Sequence, residues 1–136
     1  MNTWTREYTV QTSKDIEVVD LTSLVEEAVR ESKITNGLVV VHVPHATAAI
    51  TANEYEPYIV EDYIALIREL FKPGHNWKHN IIDRNAHAHL AAAVIGNSRI
   101  FPLRNGRLLR GTWQSILLLE LDGPRRRRII VEVIGE

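Results

Sequence analysis

Between Trp4 and Val10 the chain alternates aromatic or aliphatic with polar positions (Trp4, Arg6, Tyr8, Val10 on one face), the two-residue period of a half-buried strand. Residues 15–20, Asp-Ile-Glu-Val-Val-Asp, read as its partner, joined through Ser13-Lys14. Ser23 and Glu26 have the spacing of a capping box, in which each side chain satisfies an orphan backbone donor. Leu24, Val25, Ala28 and Val29 follow at helical spacing, and Asn36-Gly37 supplies a left-handed stop, so residues 23–34 are predicted helical. The β-branched run at 38–43, bounded by Gly37 and Pro44, predicts a central buried strand, and residues 46–51 a further extended piece. Pro57 opens a second predicted helix with Ile59, Tyr63, Ile64, Ile67, Leu70 and Phe71 on one stripe, ended by Pro73-Gly74. A short third helix is predicted over 86–95, capped by Asn85 or Asp83 and stopped by Gly96. Three strands close the chain, near 99–103, 112–121 and 128–134, with turns at Asn105-Gly106 and Asp122-Gly123-Pro124.

The order is two strands, helix, two strands, two helices, three strands. Without regular β-α-β alternation this is an α+β chain, and its 136 residues suit a single domain spanning 1–136. The run Ile116-Leu-Leu-Leu-Glu-Leu121 is apolar on both pleat faces, so it is either sandwiched within the domain or covered by a second subunit. A homo-oligomer is expected on that ground.

Composition narrows the function. A net charge of -1 provides no electrostatic case for nucleic acid or an anionic membrane. No apolar run reaches membrane-spanning length and the start lacks a signal-peptide core, which makes a cytoplasmic protein the expectation. With no cysteine, any metal must be held by His, Asp, Glu and water.

Six histidines stand out against that background, four of them between His75 and His89. In a helix over 86–95, His87 and His89 lie about 200° apart around the axis and cannot both face one ion. His89, in the first turn, is favoured as neutral imidazole, the metal-binding form. His45 follows Pro44 at the end of a buried strand, where function often gathers. The geometry predicted is His45, His79 and His89 converging on one divalent ion, zinc first and magnesium second, with water completing an open site. The competing reading makes them scattered surface or hydrogen-bonded core histidines. Asp83 and Asn85 precede His87 and His89 by four residues, near enough to orient either ring.

Glu54 and Asp62 are candidate bases or orienting groups, although capping or solvation is the commoner role for such carboxylates. Arg107 and Gln114 are candidate substrate contacts. The arginines at 125–128 read mainly as a solvated hairpin turn with a charged edge, and Trp113 as a core residue.

Together, His45-Ala-Thr-Ala-Ala-Ile…Asn53-Glu54, His79…Asp83…His89 and Asn105-Gly106-Arg107-Leu…Gly111-Thr-Trp-Gln114…Glu120…Arg128 resemble the YjbQ-type family, the group assigned as secondary thiamine-phosphate synthases. The most specific piece is Gly106 followed after four residues by Gly-Thr-Trp-Gln. The resemblance implies a two-sheet β-sandwich with two to three helices, assembled as a homotrimer. It implies a metal on His45, His79 and His89, Glu54 or Asp83 acting on the reacting group, and Asn53, Gln114 and Arg107 at the substrate. The activity implied joins a pyrimidine methyl diphosphate to a thiazole phosphate. Two alternatives stay open: a metal-dependent phosphoester hydrolase with that synthesis as a side reaction, and a non-catalytic metal- or anion-binding protein.

Overall fold

The structure, a computed structural model, describes residues 1–136. The elements in chain order are β1 (Asn2–Gln11), β2 (Glu17–Asp20), α1 (Thr22–Ser32), β3 (Gly37–His42), β4 (Ala48–Asn53), α2 (Pro57–Leu70), a 3-10 turn (Lys78–Ile81), α3 (Ala86–Ile95), β5 (Ser98–Arg104), β6 (Arg107–Leu108), β7 (Ser115–Glu120) and β8 (Arg126–Gly135). They form two antiparallel sheets, ordered β1-β8-β3-β5-β6 and β2-β7-β4. The α+β two-sheet sandwich expected from the sequence is what the chain adopts.

Two cores explain the layering. Alternate residues of the large sheet (Val39, Val41, Ile129, Val131, Val133) meet Ile50, Ile116 and Leu118 of the small one, and Val25, Ala28 and Val29 of α1 join this inter-sheet core. The opposite pleat face of the small sheet, carrying Ala49, Leu117 and Leu119, packs on Ile67 of α2 and on Ala88, Ala91 and Ala92 of α3. Strand β7 is therefore buried on both faces within one chain, and its apolar run needs no second subunit. The face of the large sheet away from the core carries no layer. Leu38 (46% exposed) and Ile100 (60% exposed) lie there, in register with Ile134, Val40 and Glu132.

Several local expectations change. The segment at 15–20 does not pair with β1: β2 pairs with β7, and β1 pairs with β8 along its whole length. The division follows burial, since Tyr8 and Val10 pack on the inter-sheet core whereas Ile16 and Val18 belong to the helix-side core. Helix α1 starts at Thr22 without the Ser23–Glu26 box. Asp20 Oδ1 instead accepts the Thr22 amide (3.0 Å) and hydroxyl (2.6 Å), and Thr22 Oγ1 accepts the Ile116 amide of β7 (2.9 Å), so the helix start is tied to the sheet. Its left-handed stop is Lys33 (φ 58°) rather than Asn36-Gly37. Gly37 opens β3, where a Cβ would stand 1.9 Å from the Ile134 carbonyl oxygen.

Helices α2 and α3 fall where predicted, with Pro57 in the first turn of α2 and Glu56 accepting the Ile59 amide at 2.6 Å. The strand predicted from 112 begins only at Ser115, because residues 111–114 form a turn closed by Gln114 N donating to Gly111 O (3.0 Å). Trp113 sits on that turn 73% exposed, outside the core in which it was expected. Finally, β8 lies between β1 and β3, so its arginines are not a charged edge.

Candidate functional site

Strand β3 ends at His42, and Val43-Pro44-His45-Ala46-Thr47 carries the chain from the large sheet to the small one. At the same end, Leu121 through Arg125 carries it back from β7 to β8, through a cis Gly123–Pro124 bond. Gly123 is needed there by close approach, since a Cβ would meet the Lys14 carbonyl oxygen at 2.1 Å.

What locks the two crossings together is an ion pair inside the protein. Arg127 is 2% exposed and Glu120 0%. Arg127 Nε donates to Glu120 Oε1 (2.9 Å) and Nη2 to Glu120 Oε2 (2.5 Å), a bidentate pair. Nη2 also donates to the carbonyl and hydroxyl oxygens of Thr47, both at 2.9 Å. Thr12 Oγ1 (2.7 Å) and the Asp122 amide (3.0 Å) complete the Glu120 shell. Burial alone would raise the Glu120 carboxyl, but the hydrogen bonds from Arg127, Thr12 and the Asp122 amide outweigh it and hold the group below the ordinary carboxylate range. Arg127 Nη1 makes no hydrogen bond within the chain, and the residue lines a cleft of about 570 Å³ with His45, His89, Asn85, Arg125 and Arg126.

His45 is fixed by the backbone. Its Nε2 accepts the Arg128 amide at 3.0 Å, an N–H that β3 no longer reaches. Burial, then Arg127 and Arg128, lowers the His45 pKa from 6.5, so the ring is neutral near pH 7. A neutral ring whose Nε2 lone pair is used carries its proton on Nδ1, so His45 offers a hydrogen-bond donor to an additional partner.

A second chain of contacts orients His79. Asp122 Oδ2 accepts Asn85 Nδ2 (3.0 Å) and Arg125 Nη2 (2.9 Å). The Asn85 amide nitrogen is thereby committed to the carboxylate, its Oδ1 faces His79 Nε2 at 3.0 Å, and the proton of His79 lies on Nε2. Asn85 thus steers His79, not His89, and makes no side-chain cap on α3. Burial opposes ionisation of Asp122, but Asn85 and Arg125 outweigh it and hold its pKa below the ordinary value. The rings of His79 and His89 meet edge to face with centroids 4.9 Å apart.

The structure divides the predicted site residues into two groups. His45 and His89 share the cleft, and His79 adjoins His89. Asp83 is exposed before α3, near enough for its charge to act on Arg125. Asn53, Glu54, Arg107 and Gln114 lie at the other end of the sandwich. Asn53 pairs with Ser115 at the start of β7, whereas Ala48 pairs with Glu120 at its finish, about 16 Å away at the ordinary rise per residue. Asn53 Oδ1 accepts the Glu54 amide (2.7 Å), the Glu54 carbonyl accepts Tyr63 Oη (2.8 Å), and Gln114 Oε1 accepts the Gly111 amide (2.7 Å). Asp62 is exposed on α2. Within the chain, no three His, Asp or Glu side chains are gathered so as to hold a metal ion. The three-histidine centre would also need a different use of His45, whose Nε2 is taken by a backbone donor.

The sequence alone does not single out Arg127 as the anchor of the cleft, because four consecutive arginines after a turn read as a solvated run. A signal was present: the two-residue period of β8 puts Arg127 on the same face as Ile129, Val131 and Val133. His87, which a helical 86–95 turns away from His89, lines neither the cleft nor the adjoining hollow beside His79 and His89. Its buried Nδ1 has no partner, and burial lowers its pKa from 6.5.

These two shifts make a pH prediction. In both histidines the folded pKa lies below the ordinary 6.5, so the unfolded chain takes up protons first on acidification. Stability is full above 6.5 and falls as pH drops from there toward the folded values. Denaturant unfolding across that window is expected to show the loss, and His87→Gln to flatten it; a pH-independent midpoint would refute the assignment.

The sequence matches the family described as UPF0047 protein YjbQ-like over residues 6–136. A UPF0047 protein of Archaeoglobus fulgidus is 45% identical over 128 residues, 94% of this chain and 99% of that one. One from Methanothermobacter thermautotrophicus is 40% identical over 136 residues, covering 100% and 95%. Among solved structures, a YbjQ-like protein of Sulfolobus solfataricus superposes with a TM-score of 0.98 at 49% identity, covering 99% of each chain. A hypothetical protein of Aeropyrum pernix superposes with a TM-score of 0.95 at 51% identity, covering 97% and 98%. With sequence and fold in agreement over nearly its whole length, the chain belongs to the YjbQ/UPF0047 family.

Proposed function

We propose that the protein is an enzyme acting on a small phosphorylated metabolite, with a phosphoryl group held in the cleft of His45, His89, Arg125, Arg126 and Arg127. The observation that carries this reading is Arg127, a buried guanidinium with one terminal nitrogen left unbonded where it lines the cleft. Such a donor, set in place before the ligand arrives, suits a phosphate oxygen, and the Nδ1–H of neutral His45 adds a second one. Arg126 brings a positive charge with no carboxylate partner.

The specific reaction proposed is the one the resemblance implies, thiamine-phosphate synthesis. The thiazole nitrogen attacks the pyrimidine methylene carbon, the carbon–oxygen bond breaks, and diphosphate departs with the electron pair. Arg127 and His45 would stabilise the charge growing on that leaving group. Hydrolysis of a phosphate ester is the second reading, favoured by one observation: with its proton held on Nε2 by Asn85, His79 presents Nδ1 as a base beside His89.

Turnover assays separate these readings. Expected is product from the pyrimidine diphosphate with the thiazole phosphate, or inorganic phosphate from a phosphomonoester panel. Phosphate binding with no turnover on either would leave an anion-binding protein. Dialysis against a chelator tests the divalent ion that the resemblance implies on His45, His79 and His89, and activity that survives it would place the chemistry on the side chains alone. Loss restored by zinc or magnesium would support an ion held by these histidines.

We also propose the homotrimer implied by the resemblance, supported by the uncovered apolar face at Leu38, Val40, Ile100 and Ile134. Sedimentation equilibrium is expected to yield three times the 15.5 kDa chain mass, and a single-chain mass would refute it.

A further inference from the structure

At the far end of the sandwich, a groove of about 530 Å³ runs between α1 and the loop that follows the β5–β6 hairpin. Its size falls within the roughly 300–1,000 Å³ range of small-molecule clefts. Glu26, Val29 and Arg30 form one wall, three and four residues apart and so on one helix face. Arg107, Arg110 and Thr112 belong to the other.

The arginines lining this groove are free of the ion pairs that tie down five others in the chain. Arg6, Arg68, Arg125, Arg127 and Arg128 each hold a carboxylate. Arg30, Arg107 and Arg110 hold none within 4.0 Å, although Glu26 lines the same groove and is itself unpaired. Three guanidinium groups against one carboxylate leave a positive excess around a concave surface, a mutual repulsion that an anion would relieve.

The loop wall is braced before any ligand arrives. Asn105 (φ 51°) and Gly106 (φ 77°) make the tight turn, and the Gly106 amide donates to Thr35 O at 2.9 Å. The Leu109 amide donates to Pro102 O (2.8 Å), and Arg110 Nη1 to Gln114 O (2.5 Å). Gln114 closes the turn by accepting the Gly111 amide through its side chain. Arg110 therefore keeps a fixed position with most of its donors unspent, and ordering the site costs less on binding.

We propose that this groove is a second anion site, taking a phosphoryl or diphosphoryl group on Arg30, Arg107 and Arg110, separate from the histidine cleft. It stands independently of the function proposed above. Its place beside α1 and the start of β7 puts it a full strand length from Glu120 and Arg127.

Calorimetric titration with inorganic pyrophosphate at low salt tests it. The variants are Arg30→Gln with Arg110→Gln, and separately His45→Gln. Arg30 is exposed and Arg110 half-buried, and neither carries a core contact, so these variants are expected to fold. The double arginine variant should lose one binding event or weaken it at least tenfold, whereas His45→Gln should retain that event. A sole event kept by His45→Gln and lost in the arginine variant would still support the groove, while telling against the cleft. Unchanged binding in the arginine variant would overturn the proposal. So would no binding by the parent protein, or the loss of all binding in both variants, which would mark one site assembled between copies.

Discussion

Arg127→Met is expected to lower the unfolding free energy by about 3–5 kcal/mol, the cost of leaving a buried charge without its partner. Glu120 would remain at 0% exposure with Thr12 and the Asp122 amide but without its bidentate counter-ion. The side chain also holds the Thr47 carbonyl and hydroxyl, so the crossing that carries His45 would lose an anchor at the same time. Arg127→Met combined with Glu120→Leu should recover most of the loss, because an apolar pair removes both desolvation costs. Urea unfolding of the parent, the two single variants and the double variant measures this coupling. A single-variant cost under about 1 kcal/mol, the size of an exposed pair, would show that the ion pair is solvated. The double variant should nevertheless be inactive, since it removes the guanidinium from the cleft while sparing the fold.

His45→Gln and His89→Ala are expected to reduce kcat/KM by about 10²–10⁴, the range for removing a positioned donor or an acid–base group. The two should differ in kind. His45 Nδ1–H meets an anion, and a Gln amide can supply a replacement donor, so part of the effect falls on KM. His89 stands between the cleft and the His79 ring, so its loss should fall on kcat. His75, its ring tilted against Trp77 with centroids 4.6 Å apart and outside the cleft, is the control, and His75→Gln should turn over like the parent. Equal activity in all three variants would remove the histidines from the chemistry.

The fold was largely legible because its signals are local. Pro57 and the Ala-rich stretch before Gly96 mark α2 and α3, and the β-branched run at 38–43 marks the central strand. Strand pairing was not legible: a short link after residue 11 looks like a hairpin, and only the separate burial of Val10 and Ile16 shows that the chain changes sheets there. The exposure of Trp113 escaped for a related reason. A large aromatic beside a strand pattern reads as core, and only the Gly111–Gln114 turn turns it outward.

The site was half legible. His45, His79 and His89 were picked out by residue type and by resemblance, and the structure brings them to one end of the sandwich. Their relation to Asn53, Glu54, Arg107 and Gln114 was not readable, because nothing along the chain reveals that β7 separates the two groups by its own length. Nor does sequence reveal which imidazole nitrogen is occupied. That depends on the Arg128 amide and on the Asp122–Asn85 contact, partners 83 and 37 residues distant in the chain.

On the proposed reading, the cleft beside Arg127 receives a phosphoryl group. Its most direct test is a titration of the isotopically labelled protein with inorganic phosphate, read from the imidazole ring signals. Saturable shifts at His45 and His89, abolished in the Arg127→Met, Glu120→Leu variant and absent at His75, are predicted. Ring signals of His45 and His89 that stay put while phosphate reaches saturating levels would contradict it.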